Sequence, residues 1–259
     1  MQERMERADN IAFAKRNIVD TIYKEAKLEG VGGTFLDTKI VYEGGVAQGL
    51  KVDEIVLINN LKHAWAFVLE TIDVPVDLMY IRHLNGLIGS NLYLRPGEIR
   101  LADVSIGGTT WTPELPDQEQ IKPVLNRLYS QEEEPYSRIL GTFAKMCRGQ
   151  WFYDANKRTA QLVANKELIA NGLGIFVIPE EKKYDWEVEL LEYYEKENEK
   201  KFLDFLLKEG VSILSGPLAD GQPVKPPKQV AEIPSLNEDS APIRVQCKSF
   251  GNKTQRKSR

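Results

Sequence analysis

The segment Gln150-Trp151-Phe152-Tyr153-Asp154-Ala155-Asn156-Lys157-Arg158-Thr159-Ala160 lies between two stretches of helical periodicity, residues 136–148 and 156–170. A helix that starts at 156 leaves its first backbone N–H groups without intrahelical partners and carries partial positive charge there, so residues 155 to 158 present donors to an anion. Phosphate is the natural ligand. Ala155 is small and lets the backbone approach closely. Asn156 can hydrogen-bond a phosphoryl oxygen or cap the helix, and Lys157 and Arg158 add two positive charges. Asp154 just ahead suits Mg²⁺, which takes one or two carboxylates together with phosphate oxygens and waters. The structural alternative stays open on the chemistry alone: an Asn or Asp before a helix is commonly a cap, and a Lys-Arg pair is commonly a solvated face.

Outward from this segment the chain reads as mainly α. Residues 7–28 place Ile11, Ala14, Ile18, Ile22 and Tyr23 along one helical face, which stops at Glu29-Gly30-Val31-Gly32-Gly33. Further helices are expected over 53–70, 76–89, 116–129, 136–148 and 156–170, the last closed by Asn171-Gly172, with two more after Tyr184. The partial alternation of 98–111, broken at Gly107-Gly108, predicts a short β-hairpin, the only strand pair expected. Residues 215–259 are rich in Pro, Ser, Asn, Gln and charge, and read as a disordered tail. The organisation expected is thus an N-terminal helix and connector over 1–50, a core over 51–214, and the tail.

Composition sets bounds. The chain has 259 residues, 42% of them hydrophobic, which is ordinary for a globular protein with a sizeable core. No apolar run suits a bilayer span and the opening MQERMERADN is charged, so neither a membrane helix nor a signal peptide is expected and the cytoplasm is the default location. Cys147 and Cys247 make no disulfide framework or thiolate cluster and are expected as free thiols. The net charge of −4 gives no general attraction for nucleic acid. From Ala241 onward, however, every charged side chain is basic, and contact with nucleic acid through that tail is the minority reading beside a solvated terminus. His63 and His83 read as ordinary helix-face or core residues, and Trp65, Trp111, Trp151 and Trp186 as core or flap packing, with Trp151 a possible pocket wall. The stretch 185–201 is an amphipathic helix with a solvated face and carries no site hypothesis.

Phe152-Tyr153-Asp154-Ala155-Asn156-Lys157-Arg158-Thr159-Ala160 resembles the signature of Fic (Fido) proteins, H-x-F-x-[DE]-[GA]-N-[GK]-R. Glu98-Ile99-Arg100 through Val104-Ser105-Ile106-Gly107-Gly108 and Trp111-Thr112-Pro113 resembles the Fic flap, a hairpin that holds a target peptide by strand pairing. Asn165 to Gly172 is similar to the end of the family's central helix, and Leu28-Glu29-Gly30 to its inhibitory helix, of pattern [ST]-x-x-x-E-[GN]. The resemblance covers about residues 20–212. It implies the Fic helical fold, ATP and Mg²⁺ as cofactors, and AMP transfer to a hydroxyl of a protein substrate docked on Val104, Ser105, Ile106, Gly107 and Gly108. Residue by residue, Asp154 would hold Mg²⁺, Ala155, Asn156 and Lys157 would form the phosphate nest, and Arg158 would bind a terminal phosphate.

Three departures qualify what the resemblance implies. The family's catalytic His falls at Gln150, whose amide has no useful basicity; losing a general base typically removes roughly 10²–10⁴-fold in rate. Lys157 stands where AMP-transferring members usually have Gly, and Asp-Ala-Asn-Lys-Arg is close to the form found in the Fic-fold toxin Doc, which makes phosphorylation the alternative reaction. A non-catalytic module acting by protein binding is the alternative from another class. Finally, Gln161 replaces a second motif Arg and Glu25 stands where the inhibitory pattern has Ser or Thr. A regulatory role for Glu29, pairing with Arg158, is therefore balanced against simple decoration of a helix end.

Overall fold

A computed structural model describes residues 4–214, and the tail read as 215–259, with Cys247, lies outside the described residues. The architecture is mainly helical, as expected. Its centre is α7 (Asn156–Ala170), buried along nearly its whole length although half its residues are polar. A helix buried on every side must be enclosed by others, and α7 packs against α1 (Arg7–Leu28), α3 (Val52–Glu70), α4 (Leu78–Gly89) and α6 (Pro135–Gly149). Several of its buried polar side chains are spent on neighbours. Asn165 donates from Nδ2 to Phe176 O at 2.7 Å and accepts from Phe176 N at 2.7 Å, tying the helix to the strand β1 (Ile175–Phe176).

Local sequence sets the ends of the elements that frame the site. In α6, Pro135 occupies the first turn, where its missing N–H costs nothing, and the Glu134 carboxylate accepts from Ser137 N at 3.0 Å. The end of α1 is a Schellman motif: Gly30 N donates to Lys27 O at 3.0 Å and Val31 N to Ala26 O at 3.1 Å. That closure needs the φ of +87° at Gly30, which a glycine adopts without strain, and it fixes where Glu29 emerges. The same motif closes α7 at Gly172, where a Cβ would also lie 2.1 Å from Met5 O.

The remaining helices are α2 (Phe35–Tyr42), α5 (Gln118–Asn126), running into a 3-10 turn at Arg127–Tyr129, α8 (Lys183–Lys196) and α9 (Glu199–Gly210). An aromatic cluster seats α8 and α9 on α6: Trp186 lies 6.0 Å from Phe143 and 5.7 Å from Phe202, which stacks on Tyr193 at 4.8 Å. No helix among the described residues is long and apolar enough to cross a membrane.

Two expectations about strands are corrected. Residues 98–111 form no hairpin ladder. Ile99 makes an isolated antiparallel bridge to Phe152, and the two limbs of the segment do not pair with each other. An isolated two-stranded hairpin is marginal in water, and here the entering limb bonds to the loop before α7 instead, Arg100 N donating to Trp151 O at 3.0 Å. The strand pair that does form is β1 with β2 (Val211–Ser212), antiparallel with Phe176 opposite Val211. At two residues each, these strands are too short for alternation to register. The helix α2 was also not expected; Thr34 and Asp37 cap it reciprocally.

Candidate functional site

The loop between α6 and α7 is wound tightly by two non-glycine residues in the left-handed region, Gln150 (φ 44°) and Ala155 (φ 60°). Such conformations cost energy and persist only where surroundings enforce them. Asn156 is the enforcer. Its Oδ1 accepts from Phe152 N at 2.8 Å, and its Nδ2 donates to Phe152 O at 2.9 Å and to Gln150 Oε1 at 3.1 Å. Asn156 therefore neither caps α7 nor offers its amide to a ligand; it closes the loop. From α4, the buried Asn85 donates to Asp154 O and to Thr159 Oγ1, both at 3.0 Å, and accepts from Gly97 N at 2.8 Å. Asn85 is a site residue that no local pattern announces.

The loop opens on a cleft of about 530 Å³. It is lined by Gln150 and residues 153–158, by Glu29, by Ser105 to Gly108, and by Trp186, Glu187, Leu190, Leu191 and Tyr194. The structure thus brings together the residues read from 150–158, the flap tip and Glu29. Val104 stands outside the lining, and so does Trp151, which is buried in the core. The absence of a site reading for 185–201 is corrected: one face of α8 forms the cleft wall. Periodicity identified that face as buried but carries no information on which neighbour or cavity it meets.

Charge at the cleft floor is concentrated on Arg158, whose side chain is 4% exposed. Its Nη2 lies 3.4 Å from Glu29 Oε2 and 3.2 Å from Asp154 Oδ1, and its guanidinium sits 5.1 Å above the Tyr93 ring. Burial disfavours the charge, yet Glu29, Tyr93 and Asp154 together outweigh it and hold the group's pKa above that of a free guanidinium. Nε and Nη1 remain buried with no hydrogen-bond partner among the described residues. Lys157 Nζ lies 3.7 Å from Glu29 Oε1. Behind Arg158, Glu25 is buried, accepting from Trp65 Nε1 and Gln161 Nε2 at 3.1 Å each, and burial raises its pKa to about 8.

Which groups does this arrangement fit? The first turn of α7 supplies amides without intrahelical partners, since Thr159 N, bonded to Ala155 O at 2.9 Å, is the first to close onto the helix. Of the expected nest, Ala155 N is taken by Asp154 Oδ1 at 2.6 Å. With two cations and the unpartnered guanidinium nitrogens, the site suits a polyanion. The described residues hold no cluster of three or more metal-ligating side chains. The half-exposed Asp154 carboxylate suits a cation that completes its shell with phosphate oxygens and waters, as Mg²⁺ does.

Gln150 has both ends of its side chain engaged: Oε1 by Asn156, and Nε2 by Cys147 O at 2.6 Å and Tyr194 Oη at 3.5 Å. His63 and His83 do not line the cleft; His83 packs on Phe67, ring centres 4.7 Å apart. Cys147 is a free thiol, as expected, and its complete burial drives its pKa far up, so it is not a nucleophile at neutral pH.

The sequence matches no family model, and no curated protein matches it. Solved structures do match. A Fic domain containing signaling protein from Bacteroides thetaiotaomicron aligns at a TM-score of 0.67 and 18% identity, over 79% of this chain and 87% of that one. Fic-1 (residues 134–508) from C. elegans aligns at 0.63 and 18%, over 76% of this chain, and a Fic family protein from Desulfovibrio desulfuricans at 0.61 and 16%, over 75%. The chain spans 62% of the length of each of these last two. At such identities the likeness is one of fold, and the fold of this chain is that of the Fic domain.

Proposed function

We propose that the cleft binds ATP with Mg²⁺, its phosphates at the N-terminus of α7, and that the chain slowly transfers AMP to a hydroxyl of a protein docked along residues 104–108. The observation that supports this most directly is Arg158: a buried, charged guanidinium lining the cleft with two nitrogens unpartnered. A buried donor left unsatisfied costs roughly 1–3 kcal/mol, more when charged, and phosphate oxygens would recover that cost. Lys157 and the first-turn amides extend the same field, and the half-exposed Asp154 carboxylate would hold the cation. Mg²⁺, when bound, neutralises phosphate charge.

In the transfer, the target oxygen forms a bond to the α-phosphorus, the bond to the β-phosphate oxygen breaks, and pyrophosphate leaves. Gln150 has no basicity with which to accept the hydroxyl proton, which passes to solvent, so the reaction proceeds without the roughly 10²–10⁴-fold that a general base contributes. The spent side chain of Gln150 favours a second reading, in which the chain binds nucleotide and a protein partner without turnover. Lys157 keeps phosphorylation as the alternative reaction.

Calorimetric titration of ATP with Mg²⁺ tests the binding claim. Micromolar to millimolar affinity in the wild type, lost in a folded Arg158→Ala variant, is expected, and no binding in the wild type would overturn the proposal. Labelling of protein by α-³²P-ATP then identifies AMP transfer, labelling by γ-³²P-ATP alone identifies phosphorylation, and binding with neither identifies the module.

A further inference from the structure

We propose that Arg100 is a positioning residue that fastens the flap to the loop preceding α7, so that residues 101–114 and residues 150–153 move as one body. The nucleotide-dependent part of this inference rests on the ATP-binding reading above. Arg100 is completely buried, which is rare for an arginine and requires that its donors be satisfied. Its acceptors are all main-chain carbonyls. Nε donates to Gln150 O at 2.5 Å, Nη1 to Ala102 O at 2.9 Å, and Nη2 to Pro113 O at 3.1 Å and to Glu114 O. One rigid planar fork therefore touches the entering limb of the flap, its leaving limb and the loop before α7.

The main chain adds to the same junction. Arg100 N donates to Trp151 O at 3.0 Å, Ile99 bridges Phe152, and Leu101 N donates to Tyr153 Oη at 3.1 Å. These contacts replace the ladder that the flap lacks. Their position gives the clamp a consequence for the site. The Gln150 carbonyl belongs to a residue in the left-handed region whose side chain bonds Asn156, and Asn156 closes the loop that leads into the first turn of α7. At the other end of the same flap, Ser105 to Gly108 form one wall of the cleft. The fork thus sets the backbone at 150 and the stems from which that wall hangs. Linkage then requires that whatever orders one side orders the other.

Hydrogen exchange on the full chain tests the clamp, using Arg100→Lys, which keeps the charge and stem but not the fork. Without nucleotide, the amides of residues 100 and 101, which are bonded to Trp151 O and Tyr153 Oη, are expected to exchange on the order of tenfold faster in the variant than in the wild type, at a melting temperature that shows it folded. With ATP and Mg²⁺, exchange over both limbs and over 150–153 is expected to slow by a common factor in the wild type, and only over 150–158 in the variant. Equal exchange in the two proteins, or an unchanged flap response in the variant, overturns the inference. Should the variant not melt cooperatively, the wild type decides: unequal factors for the limbs and for 150–153 overturn it. If ATP fails to bind the wild type, the binding proposal falls, and the nucleotide-free comparison still decides the role of Arg100.

Discussion

Glu29 Oε2 lies 3.4 Å from Arg158 Nη2, and its other oxygen lies 3.7 Å from Lys157 Nζ, so one carboxylate at the end of α1 faces both cations at the start of α7. On the ATP-binding proposal, phosphate oxygens drawn to those cations would compete with it. Glu29→Gln removes the competing charge and keeps the shape of the helix end. Its expected effect is a three- to tenfold rise in ATP affinity, about 1 kcal/mol for a partly exposed ion pair, read by calorimetric titration at low salt. A fall in affinity would mean that Glu29 orders Arg158 for the ligand instead of opposing it.

Replacing Gln150 by His tests whether the pocket is otherwise competent. Histidine tolerates the left-handed backbone at this position better than most residues. An imidazole there is near neutral-pH basicity, so AMP labelling of a target is expected to rise by roughly 10²–10⁴-fold over the wild type. The assay is incorporation from α-³²P-ATP in a mixture of candidate target proteins. An inert Gln150→His variant that still binds ATP would show that the cleft has diverged beyond its base.

Contiguity explains what was legible in the sequence. Asp154 to Arg158 are neighbours in the chain, so a helix start with two cations and an acid was visible as one pattern, and the structure gathers those residues with Glu29 and the flap tip in a single cleft. The long helices α1, α3, α4, α6 and α7 carried enough turns for their periodicity to be read. By contrast, Asn85, Tyr93, Arg100 and the α8 wall reach the site only through tertiary packing, and each looks like an ordinary residue in its own segment. The Thr34 and Asp37 cap of α2 was present in the sequence but lay between glycine-rich stretches that masked it. For Asn156, both roles considered from sequence gave way to loop closure, because hydrogen bonds to Phe152 and Gln150 consume its amide.

Asn85 holds three parts of the site with one side chain, and its loss should be felt as stability before affinity. Asn85→Ala leaves Gly97 N and Asp154 O without their buried partners. A cost of about 2–4 kcal/mol is expected from the two orphaned groups, measured by urea unfolding with an unchanged slope. A cost below about 0.5 kcal/mol would show that water replaces the amide at both groups.

Glu25 makes the fold's stability depend on pH in an unusual direction. Burial raises its pKa from 4.5 to about 8, opposed by the hydrogen bond from Trp65 and the nearby Arg158. The folded state therefore holds this proton more tightly than the unfolded chain. The stability that comes from the neutral acid is fully present below pH 4.5 and is lost as pH rises through about 8, because ionised Glu25 is costly where it lies. Glu25→Gln keeps an oxygen to accept from Trp65 or Gln161 and has no proton to lose. Across pH 5 to 8, chosen to lie inside that window, wild-type stability is expected to fall relative to the variant by on the order of a few kcal/mol, read from paired urea titrations. Parallel curves for the two proteins would place the Glu25 pKa near its ordinary value, and with it a carboxylate that Trp65, Gln161 and Arg158 stabilise in full.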